Sequence, residues 1–375
     1  MKETMNKTMV DYQNLLHDFH MENQHVIDLN ELKRRIADGQ KVYVLGKNPE
    51  ALFLKNNLKI SGLVDDFSEK PSYWQGLDCF NSQDLPANSL VINCSTSIAP
   101  LSAAEKIESI PHLQHMAYSE LLRNISHEVP LPGFVKEAKQ DFSSNENKYK
   151  WVFSLLADEA SQNIFNQVMS YRLTAQAHHM EGMRVRLSDQ YFEPFYGTLN
   201  EKVFVDCGGF DGDTSEQLAI RYSNYKKIWM FEPSSINILK AKQRLANYKN
   251  IDYIELGVSD QAGTLYFNDA AGSASAVSES GNSKIQVTTL DEFINERVDF
   301  IKMDLEGWER NALIGAKRLI FEYSPVLAIA VYHTISDFWK IPEYILSINP
   351  RYKIYLRHYT QGWSETVMYF VPQGN

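Results

Sequence analysis

Cysteine is scarce: Cys79, Cys94 and Cys207 are the only three in 375 residues, odd in number and without a C-x-x-C. A disulfide framework is thereby excluded, and the pattern fits buried thiols in a reducing compartment. Basic charge is also in deficit. Against 47 Asp and Glu stand 37 Lys and Arg, a formal net charge of -10, which argues against a nucleic-acid backbone or an anionic membrane as main partner. The run Lys33-Arg34-Arg35 is short and reads as the wet face of a helix. Long apolar stretches are missing too: segments such as Pro325 to Tyr332 fall far below the ~18 residues that span a bilayer. The N-terminus mixes acids, amides and histidines, so the expectation is a cytoplasmic protein with neither signal peptide nor integral membrane segment. No internal repeat of solenoid length and no low-complexity tract interrupts the chain.

What is present suffices for two domains at ~150 residues each, with 44% hydrophobic residues to fill two cores. Residues 1–39 read as an N-terminal helical segment, Asp28 capping Leu29-Asn30-Glu31-Leu32 and Gly39 ending the helix. Residues 40–125 read as a small Rossmann-like α/β unit with a parallel sheet. It opens on K-V-Y-V-L-G at Lys41 to Gly46, adds a helix from Glu50 and a strand Ile60 to Val64 closing on Asp65-Asp66, then a strand Ser89 to Cys94. Only Gly46 remains of a glycine loop, and Pro49 stands where a nucleotide site often has glycine. A structural or acceptor-positioning role is therefore favoured over a working nucleotide-sugar site. Residues 126–200, with Pro130, Pro132, Gly133 and a polar S-S-N-E-N-K run, read as linker and helical lead-in. Residues 201–375 form the second α/β unit.

That unit opens on a ligand cradle. Val203 to Ser215 reads V-F-V-D-C-G-G-F-D-G-D-T-S: a strand, Asp206, then Gly208, Gly209 and Gly212, and the Asp213-Thr214 start of a helix. Glycines let the backbone approach a ligand closely, and a helix N-terminus can hold an anion. A second apolar strand, Ile228 to Phe231, ends in Glu232, near the ~20-residue spacing at which an acid accepts ribose hydroxyls. The spacing D-x-G-x-x-x-G departs from the dinucleotide pattern G-x-G-x-x-G, and Asp206, Asp211 and Asp213 would repel a pyrophosphate. S-adenosylmethionine, with a sulfonium, an ammonium and one carboxylate, suits these charges better.

Further on, Leu290-Asp291-Glu292-Phe293, then Lys302-Met303-Asp304-Leu305-Glu306-Gly307-Trp308-Glu309, then Gly315-Ala316 follow in order. Together with the glycine loop and the step Glu232-Pro233, these motifs resemble the FkbM family of S-adenosylmethionine-dependent methyltransferases. The resemblance runs from roughly Trp151 to the C-terminus. It implies a class I methyltransferase fold with a mostly parallel seven-stranded sheet, here preceded by the smaller α/β domain. It further implies a cofactor site at Asp206, Gly208, Gly209, Gly212, Asp213, Thr214, Glu232, Pro233, Asp304 and, within the adenine loop Gly257-Val258-Ser259-Asp260, at Val258, Ser259 and Asp260. Where family members commonly carry an acid on the fifth strand, this chain has Ala328, Ile329 and Ala330.

Without the resemblance, Asp304 and Glu306 still follow a short strand at the tip where open α/β sheets place ligands. Glu306 and Glu309 could equally cap the next helix. His333 ends the strand Val326 to Tyr332, and the candidate catalytic set is His333, Asp304 and Glu306. His333 is the expected proton acceptor, with Asp304 orienting the imidazole or the acceptor. No metal is assigned, because the fifth strand ends in Tyr332-His333 without the carboxylate pair a hard ion prefers. Tyr191, Trp308, Tyr332, Arg357 and His358 are candidates for the acceptor side; Arg357, Glu365 and Thr366 also fit a solvated rim at the turn of a closing antiparallel hairpin, Tyr352 to Tyr359 and Thr366 to Pro372. The expected activity is O-methylation of a sugar hydroxyl in a glycan or surface polysaccharide, a carbohydrate or glycoconjugate acceptor. An NAD(P)-dependent sugar-modifying oxidoreductase and a non-catalytic nucleotide-sugar or glycan binder stay open, as does a homo-oligomer.

Overall fold

The computed structural model describes residues 8–21, 27–69, 71–122, 129–267 and 283–373, so parts of the expected N-terminal helix, 1–7 and 22–26, lie outside the described residues. The chain divides into two compact units. One is Met1–Asn145 with Phe165–Val185 and Thr360–Ser364; the other is Glu146–Ile164 with Arg186–Tyr359 and Glu365–Asn375.

In the first unit, Asp28 accepts a hydrogen bond from the Glu31 amide at 2.7 Å and starts the helix Leu29–Ala37, and Gly39 leaves it at φ +97°. Six strands follow: β1 (Val42–Leu45), β2 (Gly62–Val64), β3 (Tyr73–Trp74), β4 (Leu77–Phe80), β5 (Leu90–Asn93) and β6 (Gln114–Ala117). They form one sheet in the order β3-β4-β2-β1-β5-β6, parallel except at the edge pair β3–β4. Val42, Val44, Leu54, Leu63 and Ile92 build its core.

Composition suggested a linker around 126–150, but the structure has a helix, Gly133–Leu155, bent at Asn145. Helical periodicity overrides the polar run: Val135, Ala138, Phe142, Tyr149 and Val152 are buried on one side, while Ser143 and Ser144 stay exposed. The bend coincides with the division between the units.

The second unit holds β7 (Val203–Cys207), β8 (Lys227–Phe231), β9 (Ile251–Ile254), β10 (Gly257–Val258), β11 (Gly263–Phe267), β12 (Ser283–Thr288), β13 (Phe300–Met303), β14 (Val326–Ala330), β15 (Tyr352–His358) and β16 (Thr366–Pro372). Seven of them form a sheet in the order β15-β16-β14-β13-β7-β8-β9, parallel from β14 to β9 and closed by antiparallel β16 and β15. Strands β10, β12 and β11 make a small separate sheet. The sequence motifs have structural causes here. Thr289 caps the short helix Leu290–Phe293, and Asp291 accepts from the amides of Arg318 and Leu319 at 2.7 and 3.0 Å, so the L-D-x-F segment fastens two helices. At Gly315 a Cβ would lie 2.0 Å from the Ser259 carbonyl oxygen, which leaves glycine as the residue that fits. Among the described residues no helix is long and apolar enough to cross a membrane.

Strands β7 and β13 pair with Asp206 opposite Lys302, both essentially out of solvent and 3.1 Å apart. Removing one member strands a buried charge at a cost of about 3–5 kcal/mol, whereas replacing both by apolar residues can be neutral. Lys302→Met is therefore expected to lower the unfolding free energy in urea by about 3 kcal/mol or more, and the double variant with Asp206→Leu to recover most of it.

Candidate active site

After β7 the chain turns sharply. Gly208 lies at φ +78°, and a Cβ there would sit 2.0 Å from the Asp304 carbonyl oxygen; at Gly209 it would meet the Met230 side chain at 2.5 Å. The loop can press against β8 and β13 because these residues lack side chains. The amides of Gly208 and Gly209 both donate to the Phe231 carbonyl at 3.0 Å, so they fasten the loop to β8. Gly212, at φ +87°, then leads into the helix Asp213–Arg221. Glu232, at the tip of β8, accepts from the amides of Phe210 and Ser234 at 3.0 Å and from Asn237 Nδ2 at 3.4 Å. Burial raises its pKa against the pull of those bonds.

These elements wall a cavity of about 980 Å³, at the top of the ~300–1,000 Å³ range of small-molecule sites. Of the expected cofactor residues, Gly208, Asp213, Thr214, Glu232, Pro233, Val258 and Asp304 line it. Tyr191, Glu306, Trp308 and Tyr332 line it as well. The Tyr191 hydroxyl donates to Asp304 Oδ2 at 2.8 Å and that of Tyr332 to Oδ1 at 3.4 Å, so Asp304 is held between two phenols. Sequence reasoning missed the apolar slot of Leu265, Ile285 and Val287 that joins Gly257 from the small sheet, and also Phe210, Lys302 and Glu365. The strand alternation over 283–288 was a usable signal for the slot; for Glu365 there was none, because a turn-end acid reads as solvated.

The lining acids are Asp213, Glu216, Glu232, Asp304, Glu306 and Glu365, against the bases Arg244 and Lys302. Both bases are committed: Arg244 pairs with Asp211 at 2.6 Å and Glu216 at 3.1 Å, and Lys302 with Asp206 at 3.1 Å. A cationic ligand suits such a cavity and a pyrophosphate does not.

Several expected site residues lie behind the wall. Asp206 is fully buried, accepts from Ser215 Oγ at 2.7 Å and faces Lys302, so its charge organises the loop and does not meet a ligand. Gly209 and Gly212 shape the turn, and Ser259 orients Trp308, whose Nε1 donates to its Oγ at 3.0 Å. Asp260 accepts in turn from Ser259 Oγ at 2.9 Å. Arg357 pairs with Asp158 at 2.7 Å and lies over the Phe195 ring, and buried His358 contacts Thr366 Oγ1 at 2.9 Å through Nδ1. Neither residue lines the cavity, because each is bound into the sheet flank.

His333 sits among three carboxylates. Its Nδ1 lies 2.9 Å from Glu309, and its Nε2 lies 3.3 Å from Glu306 and 3.6 Å from Asp304. Burial lowers its pKa, but Glu306, Glu309 and Asp304 outweigh that and push it up to about 11. These carboxylates favour the charged form of the ring. Asp304, Glu309 and His333 each bring a ligand-type atom within 4.8 Å of the others, the composition of a divalent-ion site. Each ring nitrogen of His333 faces a carboxylate, Glu309 at Nδ1 and Glu306 at Nε2.

In the first unit, the sheet end where a nucleotide would sit is filled by the unit's own residues. The amides of Gln361 and Trp363 donate to the carbonyls of Ile98 and Thr96 at 2.8 and 3.1 Å, and Gln361 Oε1 accepts from the Ser102 amide at 2.9 Å. Asp65, placed like a ribose acid after β2, is held by Lys47 at 2.6 Å.

Residues 206–359 match the family described as "Methyltransferase FkbM domain". Among solved structures the chain is similar to methyltransferase FkbM from Methylobacillus flagellatus KT, at 23% identity and a TM-score of 0.71, covering 96% of this chain and 98% of that one. An rRNA methylase from Streptococcus thermophilus, at 18% identity and a TM-score of 0.33, covers 47% of this chain and 90% of that one. Fibrillarin from Aeropyrum pernix, solved with S-adenosyl-L-methionine, has 14% identity and a TM-score of 0.32 and covers 49% and 71%. No curated protein sequence matches the chain.

His333→Gln is expected to destabilise the protein by about 3 kcal/mol or more, since it leaves Glu309 buried without its cation. The folded-state pKa near 11 lies above the ordinary 6.5. The stability from this group is therefore fully present below about pH 6.5 and is lost as pH rises through about 11. Urea unfolding should show the gap between wild type and His333→Gln largest near pH 6.5 and shrinking toward pH 11.

Proposed function

We propose that this chain, which carries an FkbM methyltransferase domain over residues 206–359, is an S-adenosylmethionine-dependent O-methyltransferase acting on a sugar hydroxyl of a glycan or surface polysaccharide. The observation that carries the reading is the acid-lined cavity at the tips of β8 and β13, whose lining includes both Glu232 and Asp304. Its residues fit the cofactor. Glu232 is a buried acid placed to accept ribose hydroxyls, Gly257, Leu265, Ile285 and Val287 offer an apolar slot for a flat base, and the excess of carboxylates favours a cation. When bound, S-adenosylmethionine supplies an electrophilic methyl group, so the protein has to align an acceptor oxygen and remove one proton. Alignment by itself can lower such a barrier by about 7 kcal/mol.

For the acceptor, Tyr191, Trp308 and Tyr332 present aromatic surface beside the carboxylates of Asp304 and Glu306. Aromatic faces with hydrogen-bond acceptors at their edges are suited to a polyhydroxylated ring. Labelled S-adenosylmethionine incubated with carbohydrate fractions from the source organism should label one of them. Label confined to protein or nucleic acid would overturn the acceptor class, and the absence of any transfer would point to a binding protein. In calorimetry, Glu232→Ala should weaken S-adenosylmethionine binding tenfold or more, since each charge-assisted bond is worth roughly 1.5–3 kcal/mol.

A further inference from the structure

The loop after β13 bends back on itself. Glu306 and Gly307 lie at φ +52° and +94°, and the turn returns Glu309 to the Leu305 amide, which donates to its Oε1 at 2.7 Å. Asp304, Glu309 and, from the segment after β14, His333 are thereby gathered, each with a ligand-type atom within 4.8 Å of the others. Half-exposed Glu306 adds a carboxylate 3.3 Å from His333 Nε2.

The polar atoms gathered here do not satisfy one another. Glu309 Oε2 is fully buried and accepts no hydrogen bond. Neither ring nitrogen of His333, whose side chain is nine-tenths buried, completes one, although carboxylate oxygens lie at 2.9, 3.3 and 3.6 Å. The contacts are close without being in line, and an N–H···O bond needs both. Two ligands of one metal ion stand differently. They meet at the ion at about 90–109°, so bonds of about 2.0–2.2 Å leave the ligand atoms about 2.8–3.6 Å apart. The three nitrogen–oxygen distances at His333 fall in that range.

We propose that Asp304, Glu309 and His333 hold a divalent transition-metal ion on the wall of the cavity, with Glu306 as a further oxygen ligand at its open side. The carboxylates missing from β14, whose absence argued against a metal in the sequence, come from the loop after β13. One imidazole among carboxylates suits an ion such as Mn²⁺, Fe²⁺ or Zn²⁺ better than Ca²⁺. The contacts that orient such ligands are also in place. The Tyr191 hydroxyl donates to Asp304 Oδ2 at 2.8 Å and the Leu305 amide to Glu309 Oε1 at 2.7 Å. Whichever ring nitrogen binds the ion, the other keeps a carboxylate within 3.3 Å, as metal-bound imidazoles commonly do. The site itself does not depend on the methyl-transfer reading. Its use does: Asp304 and Glu306 line the cavity, and an ion beside them lowers the pKa of a hydroxyl that coordinates it.

The test is electron paramagnetic resonance of Mn²⁺ added to the full chain after dialysis against a chelator, since the signal of aqueous Mn²⁺ falls on binding. Wild type should bind a single Mn²⁺, and the pulsed spectrum should show nitrogen coupling from His333. Asp304→Asn should weaken binding by more than the about 10- to 100-fold that loss of an outer-shell partner costs. No binding by wild type at millimolar Mn²⁺, binding without nitrogen coupling, or equal binding by Asp304→Asn overturns the site. Ca²⁺ in equal amount should leave the bound Mn²⁺ in place, and displacement overturns the ligand set. Should Asp304→Asn not fold, wild type alone decides: Mn²⁺ should show the nitrogen coupling and raise the urea midpoint, because it binds the folded state, and an unmoved midpoint refutes the proposal. None of these readouts needs the cofactor, so failure of S-adenosylmethionine to bind would overturn the methyl-transfer reading and leave the metal site standing.

Discussion

Everything at the site is hung on one buried ion pair, Lys302 with Asp206. The two residues face each other across β13 and β7, and Lys302 Nζ also donates to the carbonyls of Gly208 at 2.7 Å and Cys207 at 3.4 Å. A lysine in the middle of an otherwise apolar strand is costly to bury unless its charge is met. Here it is met by the strand before the glycine loop and by the loop's own carbonyls, so the same ammonium that needs a partner ties the cradle to β13. Nearby acids keep the Lys302 pKa raised in spite of full burial. The loop geometry and the placement of Asp304, two residues further along, follow from that tie.

A second consequence is the division of acids by depth. Asp206 and Glu309 lie behind the cavity wall and are answered by fixed cations, Lys302 and His333. Glu232, Asp304, Glu306 and Glu365 face the cavity. The inner layer is neutralised internally, which leaves the outer layer to attract a positive ligand and to titrate. His333 belongs to the inner layer, with a carboxylate at each ring nitrogen.

The first unit illustrates the same logic by contrast. It has the strand order and the post-β2 acid of a nucleotide-binding sheet, yet Lys47 holds Asp65, and residues 360–364 hydrogen-bond to the segment following β5. At Gly362 a Cβ would lie 2.2 Å from the carbonyl oxygens of Thr96 and Ser97, so this segment packs backbone against backbone.

Much was legible in the sequence because it is encoded locally. Strand, acid, glycines and helix start at 203–215, the Glu232 after an apolar strand, and the alternation of the closing hairpin each depend on residues within a few positions of one another, and each stands where expected. The polar run at 143–148 misled because composition was read without the apolar period on either side of it. What tertiary structure alone decided are the partners and protonation states: Asp206 turned inward to Lys302, His333 enclosed by three carboxylates, Arg357 bound to Asp158, Glu365 drawn into the cavity beside Asp304. Those properties are set by burial and by charges brought together from distant strands. Local sequence determines where a side chain sits along a strand, and the surroundings assembled by folding determine its charge and what it can do with a proton.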